Sequence, residues 1–366
     1  MNTKYSDVLI QLNNINPIQY TKDRNYIDGS VSRLSSYISR GVISTRIVYD
    51  FLLKKGYKFH KIEKFIQELA WRDYWQLIWQ EKDVNLDIKH VQKDVNSVGL
   101  PRAIFSHYTK IQAIDLAIIN LYKSGYMHNH NRMYVASVIT NIAKYHWKEA
   151  AKWMYYHLLD ADWGSNALSW QWVCGTNSSK KYYANQSNIN KYNKSFQFNT
   201  ILDIEYSELM NLDQPKIFKE NKTLNYITNF PKSDNFINKG SLPICIYNFY
   251  NIDPNWRKDL DANRILLLEP SKFKKLPISD NSMHFVTELA KNIPAIKIVV
   301  SEFEDLHLNQ STVYYKEHPL NYNYKGIEDS RDWLTSLKGY YPSFYKFWSK
   351  AKKELLSEDS HQYKLF

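Results

Sequence analysis

The sequence predicts a mainly α protein with a smaller α/β domain toward the C-terminal end of the chain. Apolar residues recur at helical spacing from about residue 42 to about residue 172. After about residue 240 the pattern changes to short apolar runs rich in β-branched residues, which are typical of buried strands. We therefore expect a helical domain over residues 1–200, an α/β domain over residues 240–325 and C-terminal helices over residues 326–366.

The helical part repeats apolar residues at intervals of three and four. Ile43 and Ile47 are four positions apart, and Trp71 and Trp75 follow the same spacing. Such residues share one face of a helix, which packs on the core. Segment 177–199 breaks the pattern, since it is rich in Asn, Ser, Lys and Tyr. That composition predicts a long surface loop.

The α/β part contains three apolar runs and one amphipathic stretch. The runs begin at Ile244, Arg264 and Ala295, and the stretch from Ser282 to Asn292 lies between the last two. The order strand, strand, helix, strand is typical of a Rossmann-like parallel sheet. Neither GxGxxG nor GxxxxGK[ST] occurs in it, so no nucleotide-binding motif accompanies the sheet.

Composition excludes several classes of protein. Of the 366 residues, 44% are hydrophobic and 23% are charged, which excludes a disordered chain. No apolar run approaches the roughly 18–20 residues that span a bilayer, and the first residues lack the pattern of a secretory signal. Two cysteines, Cys174 and Cys245, are too few for a disulfide framework or a four-cysteine iron–sulfur cluster. We expect a cytoplasmic monomer that makes no membrane contact and has no metal site.

The net charge of +11 is distributed unevenly along the chain. Residues 1–200 hold 26 Lys and Arg against 15 Asp and Glu, whereas residues 201–366 hold 22 of each. A basic folded segment suggests a polyanionic partner, and nucleic acid is the first candidate. The alternative is a generally basic surface with no dedicated partner.

Three clusters of polar residues lie within the helical part. The first contains Ser32, Arg33 and Ser35 where a helix is expected to begin. Hydroxyl, guanidinium and backbone N–H groups at such a position can bind a phosphate. The alternative is an ordinary helix cap with a solvated arginine.

The second cluster is an aromatic stripe that carries charge. Glu68, Trp71, Arg72 and Trp75 stand at i, i+3, i+4 and i+7, so they share one helical face. Charged groups are costly to bury without partners, which favours a pocket where rings stack on a planar ligand. The alternative is a core stripe whose charges pair at its rim.

The third cluster extends over a longer segment. Asn129, Arg132 and Met133 share another helical face, and the acidic pair Asp160 and Asp162 follows. Asp residues near an arginine can form a buried ion pair or bind ribose hydroxyls. Further along, two Trp residues two positions apart point to roughly opposite sides of a helix, at positions 170 and 172. Each feature alone is explained as well by core packing.

Taken together and in this order, the clusters resemble the FAD-binding domain of the photolyase/cryptochrome family over about residues 20–190. The resemblance implies an FAD cofactor. The residues that match the family's FAD contacts are Tyr20, Ser32, Arg33, Leu34, Ser35, Arg72, Arg132, Asp160, Asp162 and Asn166. Arg132 is the expected ion-pair partner of Asp160. Asn166 would face flavin N5, where an amide can donate or accept, as in photolyases rather than in plant cryptochromes.

The resemblance also implies a substrate and an electron route. Residues matching the pocket for cyclobutane pyrimidine dimers are Glu68, Trp71, Asn129, Met133 and Trp172, and Arg24 matches a DNA-backbone contact. The two Trp would pack on a flipped-out dimer. Trp170 and Trp147 match the first two members of an electron-transfer chain. Its third member stays open, with Phe105 or Tyr108 or another tyrosine as alternatives.

One departure from the family concerns the order of the domains. Only about twenty residues precede Tyr20, whereas the family carries an α/β domain there. The resemblance therefore implies a short form in which residues 240–325 are a relocated and trimmed antenna-type domain. This weighs against an antenna chromophore, because the usual binding surface would be missing.

The sequence thus predicts a DNA-repair flavoprotein that uses light to split pyrimidine dimers in DNA by electron transfer from FADH⁻. The first alternative is a cryptochrome-like photoreceptor that binds FAD and repairs nothing. The second is a non-enzymatic DNA-binding protein that has lost its flavin. The retained cluster Ser32, Arg33, Ser35 argues against that last alternative.

Overall fold

The computed structural model describes residues 1–236, 238, 242–308 and 311–362. The chain forms two compact units. The first unit comprises Met1–Thr21, Ser32–Glu81 and Ile227–Phe366, and the second unit comprises Lys22–Val31 and Lys82–Tyr226. These units do not follow the boundaries expected at residues 200, 240 and 326. Residues 240–241, 309–310 and 363–366 of the expected segments lie outside the described residues.

Helices make up most of the segment before residue 212, and three further α-helices lie between Pro270 and Gln362. The α-helices are α1 (Tyr5–Asn13), α2 (Pro17–Asp23), α3 (Ser35–Ser39), α4 (Thr45–Lys54), α5 (Phe59–Glu81), α6 (Arg102–Phe105), α7 (Gln112–Ser124), α8 (Asn129–Ser137), α9 (Trp147–His157), α10 (Trp163–Cys174), α11 (Gln186–Asn193), α12 (Tyr206–Asn211), α13 (Pro270–Lys275), α14 (Asp280–Ala290) and α15 (Phe344–Gln362). A π-helical turn, Val138–Ile142, follows α8 directly.

Local chemistry explains where several of these helices begin and end. Ser44 caps α4 by accepting a hydrogen bond from the backbone N–H of Ile47 at 3.0 Å. Gly125 ends α7 with a φ of 66°, a left-handed conformation that glycine adopts without strain. Helices α4 to α10 follow one another between Thr45 and Cys174, which confirms the helical prediction for residues 42–172.

The strands are β1 (Leu100–Pro101), β2 (Asn221–Lys222), β3 (Ile244–Tyr247), β4 (Asn263–Leu268), β5 (Lys297–Val300), β6 (Val313–Lys316) and β7 (Ile327–Asp329). β1 and β2 form a short antiparallel pair. The other five form one parallel sheet in the order β5-β4-β3-β6-β7. The predicted parallel sheet is thus present, with β3, β4 and β5 as the predicted strands and α14 as the predicted helix.

The parallel sheet is built on buried aliphatic residues. Ile244 and Ile246 of β3 pack with Ile265 and Leu267 of β4, and Phe303 joins the same core. Strands β4 and β5 lie on one side of β3, and strands β6 and β7 lie on the other. This reversal of strand order leaves a crevice at the carboxyl ends of β3 and β6, where α/β sheets bind ligands.

One predicted element is wrong. The expected loop over residues 177–199 contains helix α11, whose N-cap Asn185 accepts a hydrogen bond from the N–H of Asn188 at 3.0 Å. The polar composition concealed this helix, which is anchored by the fully buried Ile189. The one or two C-terminal helices expected over residues 326–366 correspond to α15, which follows the short strand β7.

No helix among the described residues is long and apolar enough to cross a membrane. Cys174 and Cys245 are free and buried. Burial raises the pKa of the Cys174 thiol to about 11, so the group is protonated at neutral pH.

Candidate functional site

In the first unit, the Ser32 cluster forms an irregular loop before α3. Arg33 has a φ of 54°, in the left-handed region that is uncommon for a side chain of this size. The Ser32 hydroxyl accepts a hydrogen bond from the N–H of Leu34 at 3.4 Å, and Gln11 Nε2 donates to the Ser32 carbonyl at 2.9 Å. The capping alternative is not observed, because α3 has Leu34 at its N-cap position and no side-chain cap.

The predicted charged stripe lies on one face of α5, also in the first unit. Arg72 Nη2 donates to the hydroxyl of Ser39 at 2.8 Å. Glu68 forms an ion pair with Lys64 at 3.2 Å. Trp75 is buried, as expected of a core residue. The stripe therefore contains a buried tryptophan, a glutamate that pairs with a lysine and an arginine that hydrogen-bonds a serine hydroxyl.

Trp71 has a partner that the sequence did not reveal. Its ring stacks on that of Phe344, the first residue of α15, with the ring centroids 3.7 Å apart and an angle of 7° between the planes. Trp75 also lies against Trp71, at 4.9 Å. One aromatic face of Trp71 is therefore covered by another part of the first unit. Nothing in the local spacing around Trp71 signals this contact.

Tyr20 and Arg24 lie on opposite sides of the division between the units along the chain. In the first unit, the ring of Tyr20 meets that of Phe65 edge-on, with the centroids 5.0 Å apart. In the second unit, Arg24 lies close enough to His130 to affect its titration. Burial lowers the pKa of His130, and the positive charge of Arg24 lowers it further, so His130 is neutral at pH 7.

The predicted ion pair of the second unit is present. Arg132 Nη2 donates to both carboxylate oxygens of Asp160, at 3.0 Å each. Arg132 Nε donates to the carbonyl of Met127 at 2.8 Å, which fixes the guanidinium. The Asp160 side chain is only 8% exposed, so this charge-assisted pair is largely shielded from water.

Asp162 and Asn166 belong to the first turn of α10. The Asp162 carboxylate caps the helix by accepting a hydrogen bond from the N–H of Ser165 at 2.8 Å. Asn166 Nδ2 donates to the carbonyl of Ala151 at 2.8 Å, which orients the amide. The hydroxyl of Ser165 is buried and has no hydrogen-bond partner in the part of the chain that the structure describes. A buried hydroxyl without a partner in this turn of α10 is consistent with a polar ligand.

The other substrate residues of the second unit lie on α8 and α10. Asn129 is the first residue of α8, and Met133 lies one turn further along the helix. Trp170 is buried, whereas Trp172 is 37% exposed and lies against Tyr182 at 5.9 Å. The prediction that Trp170 and Trp172 point to different surroundings is therefore confirmed.

Trp147 lies at the start of α9 and is fully buried. Its indole Nε1–H donates to Asp87 Oδ1 at 2.7 Å. Its ring stacks on that of Trp163, with the centroids 6.4 Å apart. No spacing pattern predicts the contact with Asp87, which lies in a loop far from Trp147 along the chain. Of the open alternatives for a third member, Tyr108 is 65% exposed.

The first unit also contains a cavity beside Arg72. It is lined by Asn248, Asn251 and His318, which follow β3 and β6, by Lys316 at the end of β6 and by Asp73 of α5. Burial raises the pKa of Asp73 to about 6, although hydrogen bonds from Leu334 N–H and the Thr45 hydroxyl oppose this effect. The cavity therefore lies at the crevice expected from the strand order.

Residues 65–226 match the family model described as the FAD binding domain of DNA photolyase. Over 179 residues the chain is 29% identical to a deoxyribodipyrimidine photo-lyase of Alkalihalophilus pseudofirmus, which covers 46% of this chain and 36% of the relative. Over 150 residues it is 31% identical to one of Streptomyces griseus, covering 40% and 32%. The crystal structure of a class III photolyase from Agrobacterium tumefaciens is 21% identical, with a TM-score of 0.41, covering 59% of this chain and 47% of that one.

Residues 65–226, which are less than half of the chain, are therefore similar to the FAD-binding domain of DNA photolyase. The matching relatives are deoxyribodipyrimidine photo-lyases, and the similarity extends over part of each of them. The chain spans about a third of the length of the two curated relatives.

Proposed function

We propose that this protein binds FAD and splits cyclobutane pyrimidine dimers in DNA under light. The observation that carries the proposal is the coincidence of the family match over residues 65–226 with the Arg132–Asp160 ion pair. The resemblance requires that pair in a flavin-binding domain, and it is a specific contact between two segments of the second unit. A protein with a generally basic surface and no flavin site would have no need of this ion pair.

The donor groups suit FAD. In the first unit, Ser32, Arg33 and Ser35 supply hydroxyls and a guanidinium, which are the groups that bind a pyrophosphate. In the second unit, the Asn166 amide is held by the Ala151 carbonyl, and the preceding residue in the chain, Ser165, has a buried hydroxyl without a partner among the described residues. An amide can donate or accept at a flavin nitrogen in several redox states.

Reduced FAD, when bound and excited by light, supplies the electron that splits the dimer and then takes it back. The chain's own residues bind and orient the substrate. Trp71 and Trp172 would form the apolar walls around a flipped dimer. Glu68 and Asn129 would hydrogen-bond the pyrimidine edges. Met133 would complete the wall beside Asn129.

The alternative is a cryptochrome-like photoreceptor without repair activity. One observation favours it: the ring of Phe344 covers a face of Trp71 at 3.7 Å. A dimer that packs on that face has to displace Phe344. A photoreceptor would keep this contact and would still reduce its flavin in light.

A repair assay distinguishes the two functions. The reduced protein is illuminated with a thymine-dimer oligonucleotide, and dimer content is compared with a dark control. We expect the wild type to remove dimers and Glu68→Ala to lose yield roughly 100-fold while keeping its FAD, because one positioned hydrogen-bond partner is lost. Glu63→Ala is the matched control, since Glu63 lies on the same helix, is similarly exposed and also pairs with a lysine. Equal dimer content in light and dark would remove the repair function and leave the photoreceptor.

A further inference from the structure

The loop between α5 and β1 supplies hydrogen-bond acceptors to two buried tryptophans of the second unit. Asp87 Oδ1 accepts the indole N–H of Trp147 at 2.7 Å. Asn85 Oδ1 accepts the indole N–H of Trp163 at 3.0 Å. The two rings are stacked neighbours, yet one N–H faces a carboxylate and the other an amide. This difference has chemical consequences when an indole is oxidised.

The Asp87 carboxylate is held in place by a small network. Its second oxygen accepts the backbone N–H of Gln92 at 2.9 Å. Gln92 in turn accepts the backbone N–H of Trp147 at 2.9 Å and donates to the carbonyl of Tyr145 at 2.9 Å. The loop and the start of α9 are therefore joined on both sides of the indole contact. The carboxylate cannot turn away from Trp147 without breaking these bonds.

An indole that has lost one electron is far more acidic at its N–H than the neutral indole. A carboxylate in direct contact favours that cation electrostatically and can take its proton. An amide carbonyl such as that of Asn85 can accept a hydrogen bond but is far too weak a base to keep the proton. The loop therefore makes Trp147 easier to oxidise than Trp163.

We propose that the electron-transfer chain ends at Trp147 and that Asp87 accepts its indole proton. The inference rests on the proposed FAD binding and on the resemblance, which implies that Trp170 gives one electron to photoexcited oxidised FAD. Trp147 then gives one electron to Trp170 and restores it. The N–H bond of Trp147 breaks, an O–H bond forms on Asp87, and a neutral Trp147 radical remains. The electron ends on the flavin, so electrons and protons balance.

The charges around Trp147 suit this role. The ring of His146 lies against that of Trp147 at 5.8 Å, and burial lowers the pKa of His146 although Asp87 opposes this. His146 is therefore neutral at pH 7 and does not repel an oxidised indole. The charged side chains of Lys148 and Glu149 follow on the same helix and have opposite signs. Asp87 supplies the one carboxylate that the described contacts bring to the indole N–H of Trp147.

The proposal also accounts for the missing third member of the chain. A continuation through Trp163 to Tyr155 is possible geometrically, since their ring centroids are 5.7 Å apart. The Trp163 N–H faces an amide, however, whereas the Trp147 N–H faces a carboxylate. Proton loss at Trp147 fixes the oxidised site there, because returning the electron then also requires returning the proton.

The test uses the full chain with oxidised FAD, a blue flash and transient absorption. In the wild type we expect a neutral tryptophan radical whose formation slows in D₂O. Asp87→Asn keeps an acceptor for the N–H but takes no proton, so we expect a cationic radical and a yield of lasting flavin reduction roughly 10- to 100-fold lower. Trp163→Phe is the control and should match the wild type. A yield lost in Trp163→Phe, or a neutral radical unchanged in Asp87→Asn, would overturn the proposal.

A measurement without flavin separates this inference from the proposed function. The indole ¹H–¹⁵N resonance of Trp147, identified by its loss in Trp147→Phe, should lie at lower field in the flavin-free wild type than in Asp87→Asn, because a carboxylate accepts a stronger hydrogen bond than an amide. If the chain binds no flavin, the proposed function fails, and the Asp87 proposal fails with it as a redox step. If flavin binds and the resonance is unchanged in Asp87→Asn, only the Asp87 proposal is overturned.

Discussion

The Arg132–Asp160 ion pair joins two segments of the second unit that are 28 positions apart. Asp160 is nearly buried, whereas Arg132 keeps a partly exposed edge. Because a buried carboxylate left without its cation is strongly destabilised, this pair bears on stability as well as on the cofactor. The sequence singles out Arg132 because it shares a helical face with Asn129 and Met133, and Asp160 because it is one of an acidic pair. The resemblance predicted that the two residues pair.

Arg132→Ala should destabilise the protein by about 2–3 kcal/mol. The value lies at or below the lower end of the range for breaking a buried pair, because Arg132 is partly exposed. Urea unfolding measures the change. Arg102→Ala is the control in the same unit, since Arg102 pairs with Glu220 while both side chains are more than 60% exposed, and it should cost about 0–1 kcal/mol. Equal losses in the two variants would contradict the structural role of the Arg132 pair.

Residues that act through neighbours close in the chain were predictable, and those with distant partners were not. Glu68, Trp71 and Arg72 share a face of α5 because their spacing requires it. The contacts of Trp71 with Phe344 and of Trp147 with Asp87 join distant segments, so no period in the sequence reports them. Asp162 illustrates a further limit of prediction from sequence. An aspartate at this position suits both the capping bond to Ser165 and the expected contact with the cofactor, so the residue type alone does not distinguish the two roles.

At the scale of elements, α15 packs along α5 through aromatic rings. Phe344 stacks on Trp71, Phe347 lies against Tyr74 at 5.7 Å, and the ring of Trp348 is nearly parallel to that of Phe59. The apolar spacing of the C-terminal segment predicted a helix here. The strand β7 and the irregular stretch after it were missed because their backbone bonds go to the sheet and to side chains.

Phe344→Ala should uncover the face of Trp71. If the dimer packs there, the variant should bind a dimer-containing oligonucleotide up to about tenfold more tightly, because an aromatic pair contributes about 0.5–1.5 kcal/mol. Fluorescence anisotropy with damaged and undamaged oligonucleotides measures the change. Tyr345→Ala, which removes an exposed ring next in the chain, is the control. Weaker binding in Phe344→Ala alone would show that Phe344 is itself part of the substrate wall.

At the scale of the whole molecule, the charge excess is not confined to one compact unit. The first 200 residues carry the entire net charge of +11. The units of the fold mix both parts of the chain, since the first unit combines residues before 82 with residues after 226. Counted by unit, the excess is +6 for the first and +5 for the second. The imbalance along the chain therefore predicted a polyanionic partner but not the surface that meets it.

Arg24 tests whether part of this charge serves DNA. We expect the affinity for a dimer-containing oligonucleotide to fall linearly with salt on a logarithmic scale, because bound counterions are released from phosphates. Arg24→Ala should weaken binding to damaged and undamaged DNA alike and reduce the slope by about 0.7–0.9, the share of one phosphate contact. Lys275→Ala, at an exposed position on α13, should leave the slope unchanged. A slope unaffected by Arg24→Ala would mean that the arginine's charge serves only its neighbours in the second unit, such as His130.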